Sequence, residues 1–337
     1  MSTEERPPKR PRNDYGSSDA SGPPALQRST DYWFDDGNII LQVESTQFRL
    51  AKSVLAMHSS VFRDMFSLPL PQDEPLVDGC PVVILCGDRS EDWTHLLAAV
   101  FPLQLFRTRN PTLDQLSAIL RLSKKYDIPL PRSDCVRRLK CEFPTTLAEH
   151  DQLDTGWMHI EIPGDLSITQ ALVHLVNLAR EVGLFSILPL LLYDIIIAAE
   201  PGENDHDNPN VLHHALRKLS TADEIACLRF HVRLMQPYHQ TPLKWIESVP
   251  CVECTAAPKC SVKIDLLLGL ALNAPNALIH EFLTQWDSHD DWSSKVCEKC
   301  LIVAKAVHET ARQKFWDRLP SFFELPEWEE LRKMDFE

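Results

Sequence analysis

The spacing of apolar residues changes near the start of the chain from a period of two to a period close to 3.6. Apolar side chains alternate with other residues over 39–43 and again over 48–50, which predicts two strands of a hairpin, each with one buried face. Beyond them, Phe62, Met65 and Phe66 stand at positions i, i+3 and i+4, which predicts a helix with an apolar face.

The next segments continue a mixed pattern of strands and helices. The continuous apolar run 81–86 predicts a buried strand. Helical spacing follows in three stretches, near 90–100, 113–126 and 133–141. Residues 29–143 are therefore predicted to form one domain in which a small sheet is flanked by helices.

The second half of the chain has a helical pattern throughout. A stripe of small and aliphatic side chains begins at Ile168, after Ser167, and Gly183 marks its end. Further helices are predicted at 184–199, 211–219, 221–235, 263–272 and 276–286. We expect an irregular connector over 144–165 and an all-helical domain over 166–337, so the predicted fold class is α+β.

The motif Leu-Ala-x-x-Ser-x-x-Phe-x-x-Met-Phe, placed after a strand, a turn and a second strand, resembles the BTB/POZ domain. The positions that carry the resemblance are Asp36, Phe48, Leu55, Ala56, Ser59, Phe62, Met65 and Phe66. The resemblance extends to about Phe143. It departs at Ala51, where the family often carries histidine.

Composition narrows the classes of function. The 337 residues carry a formal net charge of -14, which argues against non-specific binding of nucleic acid by the body of the protein. No Gly-x-Gly-x-x-Gly or Walker-type loop occurs, and no paired acid and base or nucleophile motif suggests an enzyme. The run Leu184 to Ala199 is shorter than the roughly 20 residues of a membrane span and contains Pro189 and Asp194.

The first 28 residues are rich in proline, serine and charge, which predicts a disordered tail. They show no secretory signal, so we expect an intracellular protein, in the nucleus, the cytoplasm or both, with its cysteines reduced or bound to metal. The segment Pro7 to Arg12 has two interpretations, a nuclear-localisation patch or a solvated charge cluster.

Five cysteines gather in the last third of the chain: Cys251, Cys254, Cys260, Cys297 and Cys300. They include two Cys-x-x-Cys pairs, and four thiolates supplied by two pairs of cysteines suit tetrahedral zinc. The alternative interpretation is a set of unrelated reduced thiols. A Cys-x-x-Cys pair followed by Trp-Asp-x-Leu-Pro-x-Phe and Pro-x-Trp resembles a large group of fungal BTB proteins with a helical C-terminal region. That resemblance implies Cys254, Cys260, Cys297 and Cys300 as ligands, and a set with Cys251 in place of Cys260 stays open.

The BTB resemblance implies a non-catalytic adaptor that pairs chains, as a homodimer or with other proteins, and recruits partners. A cullin scaffold of a ubiquitin ligase is one candidate partner. Family members that bind cullins often carry a hydrophobic-x-Glu motif, and here Leu70-Pro71-Gln72 aligns with it. Phe66, Leu70 and Gln72 are therefore the candidate partner-binding residues. The alternative function is a nuclear regulator that assembles on chromatin through its BTB domain without reading DNA.

Overall fold

The computed structural model describes residues 25–69, 76–101, 110–153, 156–198, 211–234, 241–258, 260–261, 282–288 and 296–336. These residues form two compact units. The sheet unit contains the described residues up to 52 and those of 76–90. The helical unit contains 53–69 and the described residues from 91 onward.

The sheet unit is a five-stranded mixed sheet with the strand order β1-β3-β2-β5-β4. Its strands are β1 Gln27–Trp33, β2 Ile39–Val43, β3 Thr46–Leu50, β4 Leu76–Val77 and β5 Cys80–Ile84. The strands β2 and β3 form the predicted antiparallel hairpin, closed by a turn at Glu44 and Ser45, and β5 lies parallel to β2. The strand predicted at 81–86 is β5, which begins one residue before the predicted start and ends two residues before the predicted end.

The alternating pattern of β2 predicted one buried face, but residues on both faces are buried. Ile39, Ile40 and Leu41 are all at most 1% exposed, so both faces of this strand are covered. The expectation of a single buried face was wrong for β2, because Ile40 belongs to the face that the pattern assigned to solvent. Coverage of both faces is typical of parallel strands, and β2 pairs in parallel with β5.

The strand β1 was not predicted, and its first residues, Gln27 and Arg28, fall within the predicted disordered tail. Residues 1–24 of that tail lie outside the described residues. The backbone of β1 pairs in parallel with β3, and the guanidinium of Arg28 lies 2.8 Å from Asp78 and 4.5 Å from the ring of Trp33. Only Tyr32 of this strand is buried, so backbone pairing rather than apolar alternation holds it, and the sequence pattern carried no signal.

The helical unit is built from helices between residue 52 and the C-terminus. The helices are α1 Lys52–His58, α2 Ser60–Ser67, α3 Ser90–Val100, α4 Leu113–Lys125, α5 Pro129–Glu142, α6 Leu147–His150, α7 Ile168–Val182, α8 Leu188–Ala198, α9 Val211–Leu216, α10 Thr221–Leu234, α11 Glu298–Phe322 and α12 Trp328–Met334. Short 3-10 helices span Phe185–Ile187, Pro242–Ser248 and Trp286–Ser288. Within the described part of the chain after residue 166 there is no strand, as predicted.

An aromatic cluster centres on Phe62, which is fully buried, as predicted. Its ring lies 5.1 Å from that of Tyr126 and 5.9 Å from that of Trp93, measured between centroids. Ser59 caps α2 and donates its hydroxyl proton to the carbonyl of Tyr126 at 2.5 Å. Phe66 was expected to be buried too, but it is only half-buried, because its ring stacks on the outer side of Phe62 at 5.8 Å.

The helix α7, after the connector, follows its sequence signals closely. Ser167 and Gln170 form a reciprocal capping box at the start of α7, and Gly183 ends the helix in the left-handed region with φ of 81°. The helix predicted at 263–272 lies outside the described residues. Of the one predicted at 276–286, residues 282–286 are described: 282–285 are not helical, and Trp286 begins the 3-10 helix Trp286–Ser288. No helix in the described ranges combines the length and apolarity needed to cross a bilayer.

Candidate metal centre and partner surface

The cysteines of the last third are carried by a loop and by the start of a long helix. The loop follows the 3-10 helix Pro242–Ser248, whose side chain Trp245 is fully buried and meets Trp286 at 4.9 Å between ring centroids. Within the loop, the N–H of Cys254 donates to the carbonyl of Cys251 at 3.1 Å, which closes a tight turn. The buried tryptophan thus anchors the segment that presents these thiols.

The second pair lies at the N-terminus of α11. Cys297 is the N-cap residue and Cys300 lies in the first turn, three positions later. Residues spaced by three positions share one side of a helix, so both sulfurs face the same direction. The positive end of the helix dipole favours thiolates at this position.

The sulfurs of Cys254, Cys260, Cys297 and Cys300, here called the cysteine cluster, all lie within 4.8 Å of one another. The sulfurs of Cys254 and Cys297 are 3.7 Å apart. A zinc ion with Zn–S bonds of about 2.3 Å gives S–S edges of about 3.8 Å in a regular tetrahedron. The four thiols are therefore close enough to bind a metal ion with small adjustments, and none of them forms a disulfide.

Backbone N–H groups already point at two of these sulfurs. The N–H of Cys297 donates to Sγ of Cys260, and the N–H of Cys251 donates to Sγ of Cys300, each at 3.3 Å. Hydrogen bonds from N–H groups stabilise negative charge on sulfur and orient the ligands around a metal. Both sulfurs that receive them belong to buried residues, Cys260 and Cys300.

The thiols of the cluster have different acidities. The backbone N–H of Cys300, followed by the hydroxyl and backbone N–H of Thr255, lowers the pKa of Cys297 to about 5. Burial raises the pKa of Cys260 and Cys300 above their ordinary values. A cation among the four sulfurs would favour the thiolate form of these two buried groups.

Cys251 occupies a position next to the cluster. Its sulfur lies 3.6 Å from that of Cys300, but it is not one of the four that are mutually close. Between the two sets that the sequence left open, the geometry favours the one with Cys260. The contribution of Cys251 is the N–H that it donates to Cys300.

Thr255 was not identified from the sequence as a residue of the site. Thr255 lies beside Cys297 and lowers its pKa, as described above. Its position directly after Cys254 was the available signal, because a hydroxyl next to a ligand can reach a neighbouring sulfur.

The candidate partner-binding residues are described only in part. Phe66 lies near the end of α2, half-buried against Phe62. Leu70 and Gln72 lie outside the described residues. On the same pair of short helices, Met57 is 70% exposed and Val61 is 41% exposed, and Leu68 directly after α2 is 66% exposed. Exposed apolar side chains that are neighbours in sequence are typical of a surface that binds a protein.

A comparison with protein-family models matches residues 32–141 to the BTB/POZ domain. No curated protein matches the chain. The matched range contains the hairpin of β2 and β3, the aromatic cluster around Phe62 and the helices up to α5, and BTB domains are protein-interaction modules. Residues 32–141 of this chain are therefore a BTB/POZ domain.

Proposed function

We propose that this chain is a non-catalytic adaptor whose BTB/POZ domain self-associates and recruits protein partners, and whose C-terminal third is held together by a structural zinc ion. The observation that carries the first part is the family match over residues 32–141. The observation that carries the second part is the convergence of four cysteine sulfurs within 4.8 Å.

Zinc is favoured by the chemistry of the donors. Four thiolates form a closed tetrahedral set, which leaves no position for water or substrate and is typical of structural rather than catalytic zinc. The ion would cross-link the loop after Trp245 to the start of α11, two segments that are distant in sequence. The N–H groups of Cys251 and Cys297 would orient the sulfurs and offset part of the excess negative charge of a tetrathiolate site.

Elemental analysis of the purified protein tests the zinc proposal. We expect about one zinc per chain in the wild-type protein. Cys254→Ser and Cys297→Ser should each lose it, whereas Cys86→Ser, which alters an exposed cysteine of the sheet unit, should retain it. Less than about a tenth of a zinc per wild-type chain would contradict the proposal.

Self-association is tested by light scattering coupled to size-exclusion chromatography. We expect the wild-type mass to be at least twice the 38.5 kDa of one chain. A wild-type protein that elutes as a monomer at micromolar concentration would contradict self-association but would leave partner recruitment to be tested separately.

The candidate cullin interaction is tested by direct binding to a purified cullin. Phe66→Asp should weaken binding at least tenfold, because it places a charge in a half-buried apolar position. Ile225→Asp is a matched control, since Ile225 is a partly exposed apolar residue of α10, outside the BTB domain. Absence of binding by the wild-type protein would exclude this partner.

The alternative, a nuclear regulator that assembles on chromatin, rests on the basic residues Lys9, Arg10 and Arg12. Fluorescence microscopy of the tagged full-length chain, with these three residues changed to alanine, distinguishes the two functions. Nuclear accumulation that depends on them would favour the regulator. An unchanged distribution would favour the adaptor.

A further inference from the structure

A second candidate site lies in the helical unit, away from the cysteine cluster. A cavity of about 470 Å³ opens between the end of α5, the connector and the helices α7 and α8. Its lining is largely apolar and includes Phe143, Trp157, Leu172 and Ile197. This volume falls in the range of about 300–1,000 Å³ that is typical of pockets for small molecules.

Asp194 is the unusual residue of this cavity. It is the only charged side chain in α8, whose other residues are apolar apart from the hydroxyl of Tyr193. It has no hydrogen bond or ion pair within the described part of the chain. Burial among apolar neighbours raises the pKa of Asp194 to about 7. Asp194 is partly exposed on the cavity wall, and a carboxylate that loses water there without gaining a partner destabilises a fold. A ligand that pairs with this carboxylate would remove that cost.

The cavity walls are held in place without any ligand. A side-chain oxygen of Glu142 accepts the N–H of His159, and the guanidinium of Arg138 donates to the carbonyl of the same residue at 3.2 Å. The rings of Phe143 and Trp157 meet edge to face with centroids 5.6 Å apart. These contacts fix the connector against the end of α5, and a pre-formed pocket binds its ligand at a smaller entropic cost.

The rim of the cavity is apolar as well. Leu153, Met158 and Ile168 line it and are each between 40% and 52% exposed. Large aliphatic side chains at the mouth of a pocket favour a ligand with an apolar body. Glu142, Asp194 and His159 are the ionisable residues among the described lining, in which no lysine or arginine occurs. A cation at this wall would favour the ionised form of Asp194 and pair with it.

We propose that this cavity binds a small amphiphilic amine, with the protonated nitrogen at Asp194 and the apolar body among Trp157, Leu172 and Ile197. The indole face of Trp157 would add attraction for the cationic head. The proposal does not depend on the adaptor function or on zinc, because none of the cavity residues belongs to the cysteine cluster.

Titration calorimetry with three ligands of matched size tests the charge preference. The probes are 2-phenylethylamine, the neutral 2-phenylethanol and the anionic 3-phenylpropanoate. We expect the amine to bind at least about tenfold more tightly than the alcohol, since a charge-assisted contact with a carboxylate contributes about that much. Equal affinity for amine and alcohol, or no binding of the amine, would overturn the proposal.

Variants locate the site. Asp194→Asn should reduce the difference between amine and alcohol to less than about twofold, because an amide keeps the shape but removes the charge. Ala198→Trp should abolish binding of both, since it fills the cavity from the exposed end of α8. Asp317→Asn, an exposed acid on α11, should leave all affinities unchanged. Tight amine binding that survives in both cavity variants would contradict the assignment.

A fourth ligand tests whether the cavity binds a free amine or a basic side chain of a partner protein. N-acetyl-lysine methylamide offers the same cation without an aromatic body. We expect it to bind at least about tenfold more weakly than 2-phenylethylamine, because its thin stem would bury less apolar surface in the cavity. Equal or tighter binding of the lysine derivative would overturn the small-molecule proposal.

Discussion

The guanidinium of Arg312 in α11 is paired with both carboxylate oxygens of Asp151, which lies 161 positions earlier, just after α6. Arg312 is 1% exposed, and its Nε donates to the carbonyl of Leu283 at 2.8 Å. Charged groups that are buried need partners that satisfy their donors. This pair therefore ties the segment that follows the BTB/POZ domain to the longest helix of the C-terminal region.

Removal of Asp151 should destabilise the protein. Asp151→Ala leaves the buried Arg312 with only the carboxylate of Glu309, 3.4 Å away, and we expect the free energy of unfolding to fall by about 2–3 kcal/mol. This is below the value for a fully buried pair, because the Asp151 side chain is 26% exposed. Chemical denaturation measures the change. Asp317→Ala, which removes an exposed acid of α11, is the control, and an equal loss in both variants would refute a special role for the pair.

Phe62→Ala should destabilise the BTB/POZ domain by about 3–5 kcal/mol, because it empties a fully buried aromatic site against Trp93 and Tyr126. Val61→Ala, one residue earlier and 41% exposed, should cost less than about 1 kcal/mol. Urea denaturation followed by near-ultraviolet circular dichroism compares the two. A free energy of unfolding of Phe62→Ala equal to that of the wild type would contradict the role of Phe62.

Removal of zinc by a chelator should loosen the C-terminal third alone. Hydrogen exchange should increase in residues 241–258 and at the start of α11, because the ion is proposed to cross-link them. The hairpin of β2 and β3, which belongs to the sheet unit, should keep its protection. Unchanged exchange near Cys297 after complete removal of the metal would show that the ion does not hold this region.

Replacement of Cys251 provides the matched comparison within the loop. Cys251→Ser removes a thiol outside the cluster but keeps the backbone N–H that donates to Cys300. We therefore expect it to retain zinc, whereas Cys260→Ser should lose it. The opposite result would mean that the second set of ligands, with Cys251 in place of Cys260, is the correct one.

The stability contributed by position 194 should depend on pH. Asp194 has a pKa raised from 3.8 to about 7, so the unfolded chain releases this proton first as the pH rises. Wild-type stability should therefore fall between about pH 4 and pH 7 relative to Asp194→Asn. Glu142 and His159 line the same cavity and are present in both proteins, so their effects largely cancel in the difference.

Melting temperatures at pH 5 and pH 8 test this expectation. The melting temperature of Asp194→Asn minus that of the wild type should be larger at pH 8 than at pH 5. A difference between the two proteins that does not change with pH would contradict an unpaired carboxylate with a raised pKa at this position.

The sequence alone was sufficient for features that depend on near neighbours. The hairpin of β2 and β3, the helix around Phe62 and the ends of α7 follow from the period of apolar residues and from capping side chains a few positions apart. The spacing of Cys297 and Cys300 on one turn of α11 is local in the same way. A family resemblance, rather than local spacing, indicated that Cys254 and Cys260 would join them.

Only the tertiary structure decided the features that join distant segments. The pairing of β1 with β3 has almost no apolar signature, and Ile40 is buried although the alternation placed it on the solvent face. The position of Cys260 inside the cluster and of Cys251 beside it depends on how a loop folds against α11. Asp194 gave a visible charge within an apolar run, but its cavity exists only where four separate segments meet. Such contacts depend on the path of the whole chain, and a local pattern of residue types does not encode that path.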